Sequence, residues 1–168
     1  MAEKIYQTFN GPSPTTAAQV AVTTGTAIKT LLQIAPPSTA SLTIIEWGIS
    51  FDGAALATPV KCELIETDVA ATSLTAHVAA GIVKMNEAAL AIASVVTLGT
   101  SSTGYTAGAE GTTTASRVLD AQWVAPTNQY IKQFPLGREP TVQASKFLRV
   151  RTTVGVAVNA LCYVVWSE

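Results

Sequence analysis

The chain has 168 residues, of which 48% are hydrophobic and only 12% charged, and its formal net charge is -1. A length of this order fits one domain with a core of its own, and a charged fraction well under the usual ~25% leaves a surface poor in charge. So even a balance gives no electrostatic footprint for nucleic acid or for an anionic membrane, and neither is expected as a partner.

The first stretch, "MAEKIYQTFNGPSP", has no continuous apolar run of the signal-peptide kind, which points to synthesis in the cytoplasm. Its apolar residues Ile5, Tyr6 and Phe9 precede "NGPSPTT", where two prolines and a glycine oppose both helix and central strand. Residues 1–24 are therefore expected as an extended N-terminal arm that docks through those three anchors on something other than the domain's own core.

From "TAIKTLLQI" onward the pattern is β. "LTIIEWGISF" sets Ile45, Trp47, Ile49 and Phe51 on one face and Ile44, Glu46, Gly48 and Ser50 on the other, and Asp52 and Gly53 supply turn chemistry after it. In "VKCELIE", Val60, Cys62 and Leu64 face inward while Lys61 and Glu63 face outward. The segment "TAHVAAGIVKMNEAALAIASVVTL" mixes β-formers with alanines, and Asn86 stands where it can cap a short helix through "EAALAIA". Its apolar window at 88–98 is too short for a bilayer, which needs ~20 apolar residues. Residues 99–116, rich in Gly, Thr and Ser with a single charge, read as loops between short strands.

"RVLDAQWV", "QYIKQF" and "SKFLRVRTT" follow as further strands, with Trp123 in a core pattern with Leu119 and Ala121. The last run, "ALCYVVW", has no polar face. Cys162, Val164 and Trp166 share one side, and Leu161, Tyr163 and Val165 share the other. Because an antiparallel sheet ordinarily shows one face to water, the second row is expected to meet a neighbouring subunit or the protein's own arm. Roughly eight to ten short strands with frequent turn signals predict an all-β fold, a jelly-roll-like β-sandwich over residues 25–168.

Chemistry is sparse in this pattern. Serine or cysteine nucleophiles need a base, and the one histidine, His77, sits among small residues as a structural group does. The serines of "GTSSTG" fit neither a nucleophile elbow nor a phosphate loop. Glu46, Glu63 and Glu66 are the candidates for a carboxylate pair, although the alternation turns them outward. Cys62 and Cys162 fit no zinc spacing and read as buried, reduced thiols. With one histidine, and Asp52, Asp68 and Asp120 as the aspartates, no metal site and no cofactor are expected. Arg149 and Arg151 share a strand face with Phe147, where they can hold a phosphate or carboxylate, or form a surface or subunit salt bridge.

The arm, the stretch "TLGTSSTGYTAGAEGTTTASRVLDAQWV" and the end "SKFLRVRTTVGVAVNALCYVVWSE" resemble small virion proteins of tailed bacteriophages that infect actinobacteria, of the capsid decoration or minor capsid kind. The resemblance runs from "TTGTAIKTLLQIAPPST" to "VVWSE" and lies in scaffold-like segments, with no active-site motif to carry over. It implies a non-enzymatic β-sandwich, a homo-oligomer with a trimer preferred, that binds the major capsid protein on the outside of a phage head. On that view Leu161, Tyr163, Val165, Phe147, Arg149 and Arg151 form the oligomer interface and Ile5, Tyr6 and Phe9 the capsid-binding arm. The same features suit a tail or fibre component. A carbohydrate-binding module would instead need exposed aromatic platforms, for which Trp123 and Tyr130 are the candidates.

Overall fold

The computed structural model describes residues 4–12, 18–54, 58–87 and 96–168. In chain order its strands are β1 (Ile5–Phe9), β2 (Val22–Thr23), β3 (Ile28–Ile34), β4 (Leu42–Phe51), β5 (Val60–Thr67), β6 (Thr75–Ala76), β7 (Ile82–Lys84), β8 (Gly104–Tyr105), β9 (Ser116–Val124), β10 (Gln129–Gln133), β11 (Thr141–Val142), β12 (Phe147–Thr153) and β13 (Asn159–Ser167), with a 3-10 turn at Ala79–Gly81. They form two antiparallel sheets. One runs β10-β4-β13-β1-β7, with β11 beside β4 and β2 beside β13; the other runs β6-β8-β3-β12-β5-β9. The fold is an all-β sandwich, as the alternating patterns predict. The helix expected through "EAALAIA" falls largely outside the described residues.

The core lies between the sheets. Trp47, Trp166, Tyr6, Leu32, Ile34, Leu42, Ile44, Ile49 and Leu64 are wholly buried in it, each contributing on the order of 1.5–3 kcal/mol by leaving water. Cys162, Val164 and Trp166 face inward on β13, as their spacing predicts. The alternation of β4 is broken midway. Val165 pairs with Glu46 but Trp166 pairs with Ile44, so Ile45 is the extra residue of a β-bulge. The bulge reverses the parity of the strand: Leu42 and Ile44 are buried before it, Trp47 and Ile49 after it, and Ile45 does not join them.

The N-terminal strand corrects the expectation of a separate arm. β1 lies between β13 and β7 in the sheet, with Tyr6 opposite Trp166 and Lys84. Tyr6 is fully buried, its ring 6.1 Å from that of Trp166. Ile5 and Phe9 point to the opposite side of the strand, so the three expected anchors never shared a surface. The prolines end the strand without keeping it out of the sheet. Beyond Phe9 the chain still follows β13, where Asn10 donates through Nδ2 to the carbonyl of Ala160 and accepts from the amide of Cys162, both at 2.9 Å. Thr24, at the expected boundary, donates its amide to Val158 O at 2.8 Å. Residues 5–11 and 22–24 thus belong to the domain, and without β1 the backbone edge of β13 would stand open.

Residues 68–115 leave and rejoin a hairpin. β5 and β9 pair from Val60 with Val124 to Thr67 with Ser116, and between them the chain makes a long excursion carrying β6, β7 and β8. Its neck is closed by Asp68, whose amide donates to Ala115 O and whose carboxylate accepts from the amide and hydroxyl of Thr114. These hydrogen bonds hold the Asp68 carboxyl at a pKa of about 2, below the usual aspartate value.

Candidate functional site

The outer face of the seven-stranded sheet carries the second apolar row of β13. Register puts Ile131, Gly48, Tyr163 and Phe9 side by side across β10, β4, β13 and β1. Next to that row lie Gln133, Glu46, Val165, Gln7 and Val83, and on its other side Gln129, Ser50 and Leu161. Tyr163 lies down over its neighbours. Its ring sits 5.8 Å from that of Phe9, covers Gly48, and donates its hydroxyl to Glu46 Oε1 at 2.5 Å. Burial, then the hydrogen bond and charge of Glu46, push its pKa above the ordinary tyrosine range.

Val165 is buried, and Phe9, Leu161 and Tyr163 are half-buried. The N-terminal strand therefore meets Tyr163 through Phe9. Among the described residues the rest of the face stays open, with Ile131 53% and Val83 46% exposed. A shallow depression bordered by Phe9, Ile49, Ser50, Gln129, Ile131, Leu161 and Tyr163 lies at its centre. Glutamines and one tyrosine-bound glutamate edge the patch.

The arginines expected at an oligomer interface are engaged within the chain. Arg149 has no exposed surface; it donates to the carbonyl and carboxylate of Glu110 at 2.9 and 3.3 Å and to Val69 O. Glu110 also accepts from the amide and hydroxyl of Thr30, at 2.5 and 2.7 Å. The pair pins the excursion over the outer face of the six-stranded sheet, where Gln33 adds bonds to Ser102 O and from the Ala71 amide. Burial pulls the Arg149 pKa down against the opposing charge of Glu110, yet guanidinium remains charged.

Arg151 binds Glu63 Oε2 at 3.1 Å while Lys61 binds Oε1 at 2.6 Å. Burial acts to raise the pKa of Glu63, but the Lys61 hydrogen bond and the Arg151 charge prevail and hold it low. Phe147, on the same strand face as the two arginines, is half-buried. Neither Arg149 nor Arg151 is therefore available to a subunit or an anion without breaking a bond already made, and the salt bridge of Arg151 is internal.

The remaining polar candidates are dispersed. Glu46 lies on one outer face and Glu63 on the other; Glu66 is held by Arg117 at 2.9 Å, so no carboxylate pair forms. His77 is buried with Nε2 2.8 Å from Phe9 O. A carbonyl only accepts, so this nitrogen carries the proton. The Thr8 hydroxyl, which donates to Gly81 O at 2.9 Å, stands 3.2 Å from the same nitrogen. His77 thereby ties β1 to the excursion. Burial lowers its pKa, partly offset by the Phe9 bond.

Burial drives the Cys62 thiol up to about 12 and Cys162 well above its usual value. Among the described residues no group of His, Cys, Asp and Glu is placed to hold a metal ion, and no helix is long and apolar enough to cross a membrane. Of the two rings considered as platforms, Trp123 is 67% exposed. Tyr130 instead turns inward onto Trp47, with ring centroids 5.5 Å apart, and donates to Asp120 at 2.9 Å. The core position read for Trp123 fails because β9 bulges at Leu119: Asp120 pairs with Leu64 and Val118 with Ile65, which flips the strand's parity.

No family model, no curated protein and no solved structure matches the chain.

Proposed function

We propose that this chain is a non-enzymatic structural protein of a bacteriophage virion, a capsid decoration protein that binds the outer surface of the head as a homo-oligomer and reinforces it. The observation that carries the reading is the open apolar face around Tyr163, set on a chain with few charges. A free monomer keeps such patches small, whereas a subunit of a particle covers them against its neighbours. The resemblance supplies the rest: the major capsid protein as partner, a trimer as the preferred assembly, and the virion as location. Since Ile5, Tyr6 and Phe9 are part of the sheet, contact with the shell falls to the exposed members of the face, Ile131 and Val83, and to the loops.

The test is mass spectrometry of purified particles with copy number per particle, together with readdition of recombinant protein to undecorated heads. Hundreds of copies per particle support decoration, while a few copies mean a tail or fibre component and absence overturns the virion reading. Ile131→Lys and Val83→Glu, both on exposed side chains, should fold normally and lose occupancy on heads. Wild-type occupancy by both variants would remove this face from the contact.

A further inference from the structure

The six-stranded sheet ends on β9, the longest open edge of the sandwich. Among the described residues its strand partner is β5 alone, whereas the other sheet ends are short: two residues for β6, three for β7 and five for β10. An edge of nine residues offers a row of unpaired amides and carbonyls, and proteins blunt such rows with short strands, charged side chains, proline, bulges or a cover. β9, "SRVLDAQWV", carries a bulge and an inward Asp120, but no lysine, proline or described cover. Ser116, Arg117, Val118, Ala121, Gln122 and Trp123 are exposed, Val118 at 57%. The bulge at Leu119 is its one irregularity.

Its two charges are already satisfied inside the chain. Asp120 accepts from Trp47 Nε1 at 3.1 Å and from the Tyr130 hydroxyl, and Arg117 binds Glu66 and Thr141 O. The edge is therefore long, with its charges engaged inside the chain, and a second strand laid on it buries no unpaired charge.

We propose that β9 pairs antiparallel with β9 of a second copy of this chain, joining two six-stranded sheets across a two-fold axis. The strand is complementary to itself in one register. With Val118 opposite Ala121 of the other copy, Ser116 falls opposite Trp123 and Arg117 opposite Gln122. Large side chains then meet small ones on the outer face, and no like charges are opposed. A slip of one residue would set outward side chains of one copy against inward ones of the other. This contact uses none of the face around Tyr163; its failure leaves the decoration reading standing, and with the preferred trimer it gives a hexamer.

Light scattering on the full-length protein should give an even multiple of the 17.4 kDa chain. The double variant Val118→Lys/Trp123→Lys, at side chains already in water, should halve that mass. A mass of three chains, or a mass unchanged in the double variant, would overturn the pairing; a trimer would do so while leaving the proposed decoration assembly intact. The register is read separately by mixing a Val118→Cys chain with an Ala121→Cys chain under mild oxidation. The buried native thiols stay out of this reaction, and the mixture should yield cross-linked dimer while Val118→Cys alone yields little, its own copies lying too far apart for a disulfide. No cross-link in the mixture would overturn the proposal even if the lysine variant failed to fold.

Discussion

Tyr163 occupies the space that a side chain at Gly48 would need: a Cβ placed there would lie 2.6 Å from the tyrosine ring. The ring cannot simply swing away, because Phe9 and Glu46 hold it on either side. Gly48→Ala should destabilise the protein by about 1–3 kcal/mol, the range for overpacking. The same substitution made in a Tyr163→Ala background should cost far less, and the difference between the two, measured by denaturant unfolding, isolates the contact.

Tyr6 makes the N-terminal strand indispensable. Its ring is buried against Trp166, and its hydroxyl donates to Glu168 at 3.2 Å, with burial first and Glu168 next pushing its pKa up to about 12. Tyr6→Ala should cost about 3–5 kcal/mol, as for other large aromatic truncations. Deleting residues 2–11 should leave a chain without a cooperative thermal transition by circular dichroism; a folded truncation product with an unchanged midpoint would contradict the central placement of β1.

Arg149 and Arg151 stand two residues apart and should behave differently. Arg149→Met removes the guanidinium bonds to the Glu110 carboxylate and to two carbonyls, leaving only Thr30 on the carboxylate, and a loss of about 3 kcal/mol is expected. Hydrogen exchange should then accelerate over residues 68–115 before it does in β4 or β13. Arg151 is partly exposed and Lys61 still holds Glu63, so Arg151→Ala should cost only ~1 kcal/mol or less.

Acid should weaken the protein in two windows. The folded pKa of His77 lies below its ordinary value of 6.5, so near neutrality the unfolded chain binds the extra proton. Stability is then full above that value and falls as pH drops through it toward the folded pKa. Urea midpoints measured from about pH 7.5 to about pH 5.5 should decline, and His77→Gln should flatten that decline. Glu63 and Asp68, both with lowered pKa values, act in the same sense at lower pH: the unfolded chain again takes up the proton first, so their stabilisation is full above the usual carboxylate range and is lost as pH falls through it toward their depressed values.

The sheet pattern was legible where alternation ran unbroken. "ALCYVVW" announces both of its faces, and the structure places Cys162, Val164 and Trp166 inward as the spacing requires. It failed at Ile45 and Leu119, because one inserted residue exchanges the two faces of a strand and leaves no mark in composition. "IYQTF" has a strand's alternation, but the prolines behind it argue against a strand within a sheet. The Arg149 pair is non-local, joining a strand to a loop 39 positions away. Its one signal was Glu110 itself, the sole charge in an otherwise neutral stretch from 99 to 116.

The position of β13 between β4 and β1 also sets the order of events during synthesis. Ile5 pairs with Ser167 and Phe9 with Tyr163, so β1 has no template on this side until residues 159–167 have emerged from the ribosome. The seven-stranded sheet therefore closes only once β13 is available, after all its other strands have been made. In the interval β1 and β4 each carry an unsatisfied edge, and sequence-distant pairing of this kind is slow. The nascent chain spends that interval as two half-sheets awaiting a shared middle, the stage at which a chaperone would have the most to hold.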